Sequence, residues 1–383
     1  MAYNRRDKGA FGKLSKSIGN MEASRLIVEQ YKNWDKFCSE NNGGWFWHTT
    51  DWLEYILNFK PERQAENFSF FVSENGKIKA IVPLVSEINE FEGNNVREFS
   101  YQQGPVPAPV FDSRLSDGKK ELLKKLVFEE IDRLAQQHKI SRARFWNSPL
   151  PPEFLETPPI SNYLTQFGYK DISLKALLID LKKNEKELWR EMRRNHRRNI
   201  LKERKFKIIF YKRENINAEI FNAYKETHHK AAGRKTRSDK TFEMMFDWLK
   251  RGLAFLTAVE FEEKNIGFEY YLVYKNNVYG ASAANDPDFA HLAIRHSLEW
   301  EAILWMKQQG YSFYEIGLQQ RGALPYDFPS KKQINISHFK KGFGGFEVPL
   351  FIGEKYYNEE YREKIAQWRK QQFEIYVEEL GNN

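Results

Sequence analysis

Leu298-Glu299-Trp300-Glu301, with Tyr314-Glu315 a short turn later, forms the second of two similar runs in this 383-residue chain. The first run is Leu126-Val127-Phe128-Glu129 followed by Arg144-Phe145, and both runs have the pattern of a helix, a turn and a strand. A repeat of this kind indicates a duplicated structural unit. The chain is long enough to hold two such units.

The elements around the two runs follow the same order in both halves of the chain. In the first half, Ser24 is the predicted cap of an initial helix, and the later elements are strands Phe68–Ser73, Ile78–Ser86 and Val96–Tyr101, helix Lys119–Gln137 and strand Ala143–Trp146. In the second half, the elements are helix Ala218–His228, strands Ala254–Phe261, Ile266–Tyr274 and Val278–Asn285, helix Arg295–Gln309 and strand Ser312–Ile316. A meander followed by a crossover helix predicts an α/β (α+β) chain with two tandem GNAT-like acyltransferase domains, each with a mixed sheet, rather than a doubly wound parallel sheet.

The predicted domain boundaries follow from these elements and from the proline-rich connector that begins at Ser148-Pro149. The predicted parts are a basic flexible N-terminus at residues 1–23, a first domain at 24–177, a second domain at 178–348, and a segment at 349–383 whose helix packs back on the first domain. No glycine-rich fingerprint follows the first strand, which argues against dinucleotide binding.

The composition narrows the classes of partner. The net charge of +8 favours acidic partners such as phosphates, nucleotides or nucleic acids. Because Cys38 is the single cysteine, the sequence predicts neither a disulfide framework nor a thiolate metal cluster. No apolar run reaches the length of a membrane span. We therefore expect a cytoplasmic protein with no cofactor and no metal.

A strongly basic segment is the first candidate for binding phosphate. Leu188–Lys205 is predicted as one amphipathic helix with Arg190, Arg194, Arg197 and Arg198 on one face. Guanidinium groups on one face repel one another unless an anion neutralises them. The face is therefore either a site for phosphate or a tRNA backbone, or a solvated face balanced by distant carboxylates.

A second basic segment, Lys230–Arg237, follows the predicted helix that carries Tyr224, His228 and His229. We expect it to form a loop that closes over a substrate, with either histidine a candidate general base or a packed residue. The two histidines are adjacent rather than four residues apart, so a two-ligand metal face is not expected.

The start of the predicted helix at Arg295 is the third candidate. The small residues of Ala281–Ala284 end a strand and leave room for a ligand. No glycine lies between Ala281 and Gln309, so the sequence lacks a glycine-rich cradle for the pyrophosphate of coenzyme A. Arg295 is nevertheless placed to meet an anion.

The segment Phe339-Lys340-Lys341-Gly342-Phe343-Gly344-Gly345 follows the last strand of the second unit. We interpret it as a glycine-rich turn in which aromatic rings shield a lysine from water. Its glycines would let the backbone approach a ligand, and the ammonium would lie where an oxyanion develops. The alternative is an ordinary solvated basic loop.

Together, these features resemble the Fem family of tRNA-dependent aminoacyltransferases and the wider FemAB-like group. The residues that carry the resemblance are Leu188-x-x-x-Met192-x-x-x-His196-Arg197-Arg198-Asn199-Ile200, Gly233-Arg234, the strands that end at Asn285, Tyr311–Gly317 and Phe339-Lys340-Lys341-Gly342-Phe343. The coiled-coil arm of some members is absent between Lys205 and Phe255, which indicates an arm-less member.

The resemblance implies a tandem GNAT-like fold that transfers an amino acid from aminoacyl-tRNA to an amine on a peptide or nucleotide-linked glycan precursor. It implies that Lys340, with Phe339 beside it, stabilises the oxyanion. The residues assigned to substrate or phosphate binding are Arg194, Arg197, Arg198, Arg234, Arg237, Tyr224 and Lys60. The alternatives are an acyl-CoA or acyl-carrier donor on the same fold, and a noncatalytic tRNA- or RNA-binding protein.

Overall fold

The computed structural model describes residues 20–202 and 206–381 as two α/β units that share one hydrophobic core. The strands of the first unit are β1 (Met21–Arg25), β2 (Glu66–Asn67), β3 (Phe70–Glu74), β4 (Lys77–Val82), β5 (Val85–Phe91), β6 (Asn94–Phe99), β7 (Val106–Pro107), β8 (Val110–Phe111), β9 (Arg142–Trp146) and β10 (Lys170–Asp171). Its helices are α1 (Tyr31–Glu40), α2 (Thr50–Leu57), α3 (Asp117–Gln137) and α4 (Pro152–Glu156).

The second unit begins at Leu174, three residues after the end of β10. Its strands are β11 (Leu174–Asp180), β12 (Lys207–Tyr211), β13 (Ala254–Phe261), β14 (Lys264–Tyr274), β15 (Asn277–Asn285), β16 (Phe313–Leu318) and β17 (Phe346–Leu350). Its helices are α5 (Glu185–Glu191), α6 (Arg194–Lys202), α7 (Ala218–Ala232), α8 (Asp239–Arg251), α9 (Ile294–Gln308) and α10 (Lys331–Lys341). The chain then ends with β18 (Ile352–Tyr356) and α11 (Glu359–Gly381).

The two seven-stranded sheets are mixed, as the sequence predicts, and the first unit has in addition a four-stranded antiparallel sheet. The second unit has one seven-stranded sheet in the order β12-β13-β14-β15-β16-β11-β17. The first unit has a seven-stranded sheet in the order β10-β18-β9-β6-β5-β2, with β7 also paired to β9, and a four-stranded sheet in the order β1-β3-β4-β8. Most neighbours are antiparallel, but β15 is parallel to β16, and β6 and β7 are parallel to β9.

Two predictions in the first unit are wrong. Ser24 does not cap a helix: it lies in β1, where it pairs with Phe71, and the first α-helix begins seven residues later at Tyr31. The predicted strand Ile78–Ser86 is two strands in different sheets, because Pro83 lies between them. Proline has no N–H group to donate to a strand ladder.

The predicted basic helix is also interrupted. It forms the short helices α5 and α6, because Met192 is extended (φ −69°, ψ 141°) and buries its side chain in the core of the second unit. The next residue, Arg193, donates its backbone N–H to the carbonyl of Gly342 at 2.8 Å. The single arginine face predicted across this segment is therefore wrong, since Arg190 lies on α5 and the other three arginines lie on α6.

The C-terminal part of the chain crosses from one unit to the other. Strand β17 pairs with β11 in the second unit, whereas β18 pairs with β9 and β10 in the first. Helix α11 then contacts the first unit, where Tyr361 donates a hydrogen bond to Glu98 at 2.9 Å and Arg369 bonds to Glu354 of β18 at 2.7 Å. Strand β11 also spans the predicted boundary at residue 178, and β1 includes residues 21–23 of the segment predicted to be flexible; residues 1–19 lie outside the described part of the chain.

Aromatic side chains of the first unit pack against the sheet of the second. Trp45 is fully buried, and its indole Nε1 donates a hydrogen bond to the backbone oxygen of Tyr274 in β14 at 3.0 Å. Trp47 packs edge-on against Tyr279 of β15, with ring centroids 4.9 Å apart. The first unit therefore forms a wall directly against the strands of the second.

Replacing Trp45 with alanine should weaken both units together. The change leaves a large cavity at the contact between them and removes the hydrogen bond to Tyr274, so we expect a loss of about 3–5 kcal/mol in the free energy of unfolding. Urea denaturation followed by circular dichroism measures it. The control is Ile160→Ala, since Ile160 is fully exposed and its loss should change stability by no more than about 0.5 kcal/mol. Equal midpoints for the two variants would contradict the prediction.

Candidate functional site

The candidate site lies where β15 and β16 separate. The two strands pair in parallel from Asn277 with Phe313 to Tyr279 with Glu315, and both continue beyond that pair without further pairing to each other. Backbone hydrogen bonds normally hold neighbouring strands together along their length. Their end at this point opens a cleft between two strands in the interior of the sheet.

A β-bulge on each strand accounts for the separation. In β15, Ala281 is an extra residue between the pairs that Gly280 and Ser282 form with β14. In β16, Ile316 is an extra residue between the pairs that Glu315 and Gly317 form with β11. Bulges bend a strand and change the direction of the side chains beside it. Here the two bulges face each other across the cleft.

The corresponding place in the first unit is filled. Strand β6 pairs with β9 at Glu98 and Phe99, and the chain then returns as β7, which pairs with the next part of β9 through Val106 and Pro107. The strand β7 therefore occupies the space that stays open in the second unit. Of the two repeats, the second is therefore the one in which the pairing of these two strands ends without a further strand between them.

Lys340 lies in this opening. It belongs to the last turn of α10 rather than to the glycine-rich turn expected from the sequence, and the glycines follow the helix. A Cβ atom at Gly317 would overlap with Lys340 Nζ, so the ammonium is packed against the backbone of β16 just after its bulge. Gly317 has φ of 122°, a conformation that favours glycine.

Phe339 anchors the end of the helix that carries Lys340. Its backbone oxygen accepts a hydrogen bond from His196 Nε2 at 2.9 Å, and its ring packs against His196, His296 and Phe343. Burial lowers the pKa of His196 to about 4, so this imidazole is neutral near pH 7. Phe339 thus positions Lys340 through packing and a backbone contact.

Three acidic side chains and one arginine share the buried region around Lys340. Arg295 Nη2 donates to Glu269 Oε2 at 2.6 Å and to Glu299 Oε2 at 3.4 Å, and the Tyr314 hydroxyl donates to Glu299 Oε1 at 2.6 Å. Burial raises the pKa of Glu299 to about 8, and the charge of Glu269 adds to this effect. The expected anion partner of Arg295 is therefore a pair of carboxylates of this chain.

Burial also lowers the pKa of Lys340, while Glu269 and Glu299 act in the opposite direction. The third acidic residue, Glu315, is 3% exposed, and its Oε2 has no hydrogen-bond partner among the described residues. Burial raises the pKa of Glu315 to about 8, against the attraction of Lys340. An acid and a base are thus held together at the floor of the cleft with their pKa values shifted towards each other.

Two of the predicted phosphate-binding residues, Arg234 and Arg237, lie in a loop that contacts the first unit next to a third, Lys60. The loop after α7 docks on the first unit, where Ser238 donates its N–H to the oxygen of Phe59 at 3.1 Å. This contact places the guanidinium group of Arg237 5.9 Å from the ring centroid of Phe59, the residue before Lys60, and Arg234 lies three residues earlier in the same loop. Arg234 is exposed and Lys60 half-buried.

Arg237 and Tyr224 are more buried than a surface phosphate site requires. Arg237 donates to the hydroxyl of Tyr55 at 2.8 Å and lies 3.0 Å from His228 Nε2. Burial lowers the pKa of His228 to about 4, with the charge of Arg237 adding to this effect. Tyr224 is fully buried and donates to Ser282 Oγ of β15 at 2.9 Å. These residues link the loop to β15.

The α6 arginines lie on the other side of the second sheet. Arg194 and Arg198 are exposed, whereas Arg197 lies 3.5 Å from the backbone oxygen of Trp189. Helix α6 packs against α9, as shown by the ring contact between His196 and His296 at 4.6 Å. The predicted binding residues therefore form two groups, one on each face of the sheet, rather than one cluster.

The sheet itself separates these groups. Along β14, Tyr270 donates to the backbone oxygen of Met245 in α8, while the preceding Glu269 bonds to Arg295 of α9 on the opposite face. The two faces come closest to each other where β15 and β16 stop pairing, and Lys340 lies against β16 just beyond that point.

Sequence reasoning missed the acidic residues of the site. Glu269 lies in an otherwise apolar strand, and Glu315 was noted only as part of the repeat. A lone carboxylate within an apolar strand was the available signal, since buried charges are rare unless paired or functional. In the described ranges 20–202 and 206–381, no three His, Cys, Asp or Glu residues are grouped as metal ligands would be. No helix within those ranges is long and apolar enough to cross a membrane.

Comparison with known proteins places this geometry in a class. Residues 185–327 match the family model of the acetyltransferase (GNAT) domain. FemX has a TM-score of 0.60 at 13% identity, over 90% of this chain and 100% of that one. L-PGS from Bacillus licheniformis has a TM-score of 0.54 at 14% identity, over 92% and 98% of the two chains. A search of curated proteins finds no significant match.

Residues 185–327 are thus an acetyltransferase (GNAT) domain, and the chain as a whole has the fold of FemX. FemX shares that arrangement over its full length, so the resemblance to the Fem group is confirmed for the fold. Lys340 lies beyond the end of the matched GNAT domain and enters its cleft from α10.

Replacing Glu315 with glutamine should change how stability depends on pH. The pKa of Glu315 is raised from 4.5 to about 8, so between these values the folded state holds a proton that the unfolded state has released. Glu315 should therefore make wild-type stability fall as the pH rises through this window, by at most about 1.4 kcal/mol per pH unit, and Glu315→Gln should lack this part of the fall while it keeps the part due to Glu299. Urea denaturation across the window measures it. Glu363→Gln, on an exposed part of α11, is the control; parallel curves for wild type and Glu315→Gln would contradict the prediction.

Proposed function

We propose that this protein transfers an aminoacyl group from aminoacyl-tRNA to a primary amine on a peptide or nucleotide-linked glycan precursor, with formation of an amide. The observation that carries the proposal is the position of Lys340. Its ammonium lies in the opening between β15 and β16, and basic side chains lie on both faces of the sheet around it.

The reaction needs positive charge at one point. When an amine attacks an ester carbonyl, negative charge develops on the carbonyl oxygen, and a fixed ammonium in a water-poor site stabilises it. Glu269 and Glu299 favour the charged form of Lys340 although the residue is buried. Packing against Gly317 fixes the ammonium before the substrate arrives, so it does not have to reorganise during the reaction.

The α6 side suits a nucleic-acid donor. Arg194 and Arg198 are exposed on one short helix, and guanidinium groups pair well with phosphate oxygens. Beside α6 lies a cavity of about 630 Å³ with Trp189 and Trp300 in its wall, and such aromatic side chains offer stacking surfaces for a base. The side of the cleft with Lys60 and Arg234 then receives the acceptor, whose phosphates these cations attract.

An acyl-CoA donor is the second candidate, because the domain match is to acetyltransferases. The start of α9 weighs against it. His296, in the first turn of α9, packs against Phe339 with ring centroids 5.0 Å apart. The segment before this helix has side chains where a pyrophosphate cradle has glycines, and these side chains hinder the close approach of a pyrophosphate to the backbone.

The donor is identified by incubating the protein separately with a pool of aminoacyl-tRNAs and with acyl-CoAs, in the presence of candidate amine acceptors. We expect amide formation from aminoacyl-tRNA. Transfer from acyl-CoA alone would replace the proposed donor, and salt-sensitive RNA binding without any transfer would replace the enzyme with a binding protein.

Lys340→Ala should lower kcat/KM by about 100-fold to 1,000-fold, because it removes the cation at the developing oxyanion. Lys341→Ala is the matched control, since Lys341 is the next residue on the same helix but contacts the backbone oxygen of Gly345 and the carboxylate of Glu347. We expect it to change kcat/KM by less than about threefold. Equal effects of the two substitutions would contradict the role of Lys340.

Loss of the α6 cations should change the salt dependence of tRNA binding. Each phosphate contact contributes about 0.7–0.9 to the slope of log K against log salt, so Arg194→Ala/Arg198→Ala should reduce that slope by up to about 2. Filter binding at several salt concentrations measures it. The double variant Lys364→Ala/Lys370→Ala on α11 removes the same charge elsewhere, and an equal reduction there would contradict a specific role for α6.

A further inference from the structure

We propose that Glu315 is the residue that takes the proton from the attacking amine and returns it to the leaving alcohol. This inference rests on the proposed transfer to an amine. It assigns a second catalytic group to the cleft, in addition to the ammonium of Lys340.

The strand register places Glu315 at the mouth of the cleft. Glu315 pairs with Tyr279 in the last pair before β15 and β16 separate, so the two side chains lie on the same face of the sheet. Its neighbour Tyr314 points the other way and bonds to Glu299 under α9. Glu315 is thus the acidic residue of the site on the face towards the first unit.

A buried carboxylate oxygen without a partner is costly unless something uses it. Glu315 is 3% exposed, and its Oε2 accepts no hydrogen bond within the described ranges. The other two acidic residues differ, because Arg295 and Tyr314 engage their oxygens. The free oxygen of Glu315 is therefore the available proton acceptor in the cleft, whereas Glu269 and Glu299 are committed to their partners.

The first unit encloses this oxygen. Trp47 packs against Tyr279 at 4.9 Å, and its indole Nε1 is a buried donor without a partner in the described part of the chain. An unpaired acceptor and an unpaired donor thus lie on either side of Tyr279. A polar substrate group that enters here would find both, in a site from which the aromatic rings exclude bulk water.

The proposed reaction is the attack of the amine on the ester carbonyl, with transfer of the amine proton through Glu315. The lone pair of the neutral amine forms the C–N bond, and the carbonyl π electrons move to the oxygen beside Lys340. The N–H proton goes to the Glu315 carboxylate. The carbonyl re-forms as the C–O ester bond breaks, and the departing ribose oxygen takes the proton from Glu315, which leaves an amide, an alcohol and the original carboxylate.

The groups around Glu315 keep its pKa near the pH at which a general base is effective. The groups that face Glu315 are Lys340 of α10 and Tyr279 of β15, and its partner on β11 is the apolar Leu178. Lys340 in turn faces Glu269 of β14 and the ion pair of α9. A base is most effective when its pKa lies near the operating pH, and burial raises the pKa of Glu315 to about 8.

The test compares wild type with Glu315→Gln and Glu315→Asp in the transfer assay, with thermal melting as a check on folding. Glutamine has the same shape but cannot take a proton, so we expect kcat/KM to fall by about 100-fold to 10,000-fold with loss of the acidic limb of the pH profile. Aspartate should keep that limb at a lower rate. Glu363→Gln on α11 should change neither the rate nor the profile.

A second measurement separates proton transfer from simple structural damage. Hydroxylamine attacks esters without strong assistance from a base, so the defect of Glu315→Gln should be much smaller with hydroxylamine as acceptor than with an alkyl amine. An equal defect with both acceptors, or a Glu315→Gln variant with the wild-type rate and pH profile, would overturn the role of Glu315. If the wild type transfers nothing from either donor, the proposed function itself is wrong, which is a distinct result.

Discussion

The burial of charge between β15 and β16 is the constraint on which the rest of the second unit depends. Three carboxylates and two cations lie together there, so with every group ionised the cluster would carry one negative charge in a region that solvates charge poorly. Burial is the main reason that the pKa values of Glu299 and Glu315 are both raised; the charge of Glu269 adds to this effect at Glu299, whereas Lys340 opposes it at Glu315. The site thus contains carboxyl groups that gain and lose protons close to neutral pH without any ligand.

This cluster depends on two β-bulges that are present in only one of the two repeated units. Both units contain the same order of meander, crossover helix and strand, yet β7 closes the sheet of the first unit, while opposed bulges at Ala281 and Ile316 open the sheet of the second. The first unit instead forms a wall beside the cleft, because its Trp47 packs against Tyr279 of β15 in the second unit. Strand β18 follows β17 of the second unit and pairs with β9 of the first sheet. This pairing fixes the position of the first unit relative to the cleft.

The sequence carried the local pattern of the second unit well, because its elements are long and strongly periodic. The strand Ala254–Phe261 has its predicted limits, and α9 differs from the prediction by one residue at each end. Errors arose where a distant contact overrides local pattern: the bond from Arg193 to Gly342 helps divide the basic helix, and Ser24 pairs with a strand 47 positions along the chain. The resemblance to the Fem family predicts a catalytic role for Lys340. The position of Glu315 in the site depends on a strand register and a bulge, which no local sequence pattern encodes.

The loop after α7 is held against the first unit by hydrogen bonds. The sequence suggested a segment that closes over a substrate, but Arg237 is held by Tyr55 and His228, and Ser238 is bonded to Asn58 and Phe59 of the first unit. A loop with this many buried contacts is part of the wall and not a lid. The cationic surface beside Lys60 is therefore preformed, and so is the α6 surface on the other face of the sheet. In the proposed reaction, two substrates that approach from opposite faces would meet where β15 leaves β16, and the ammonium of Lys340 would lie at that meeting point before either arrives.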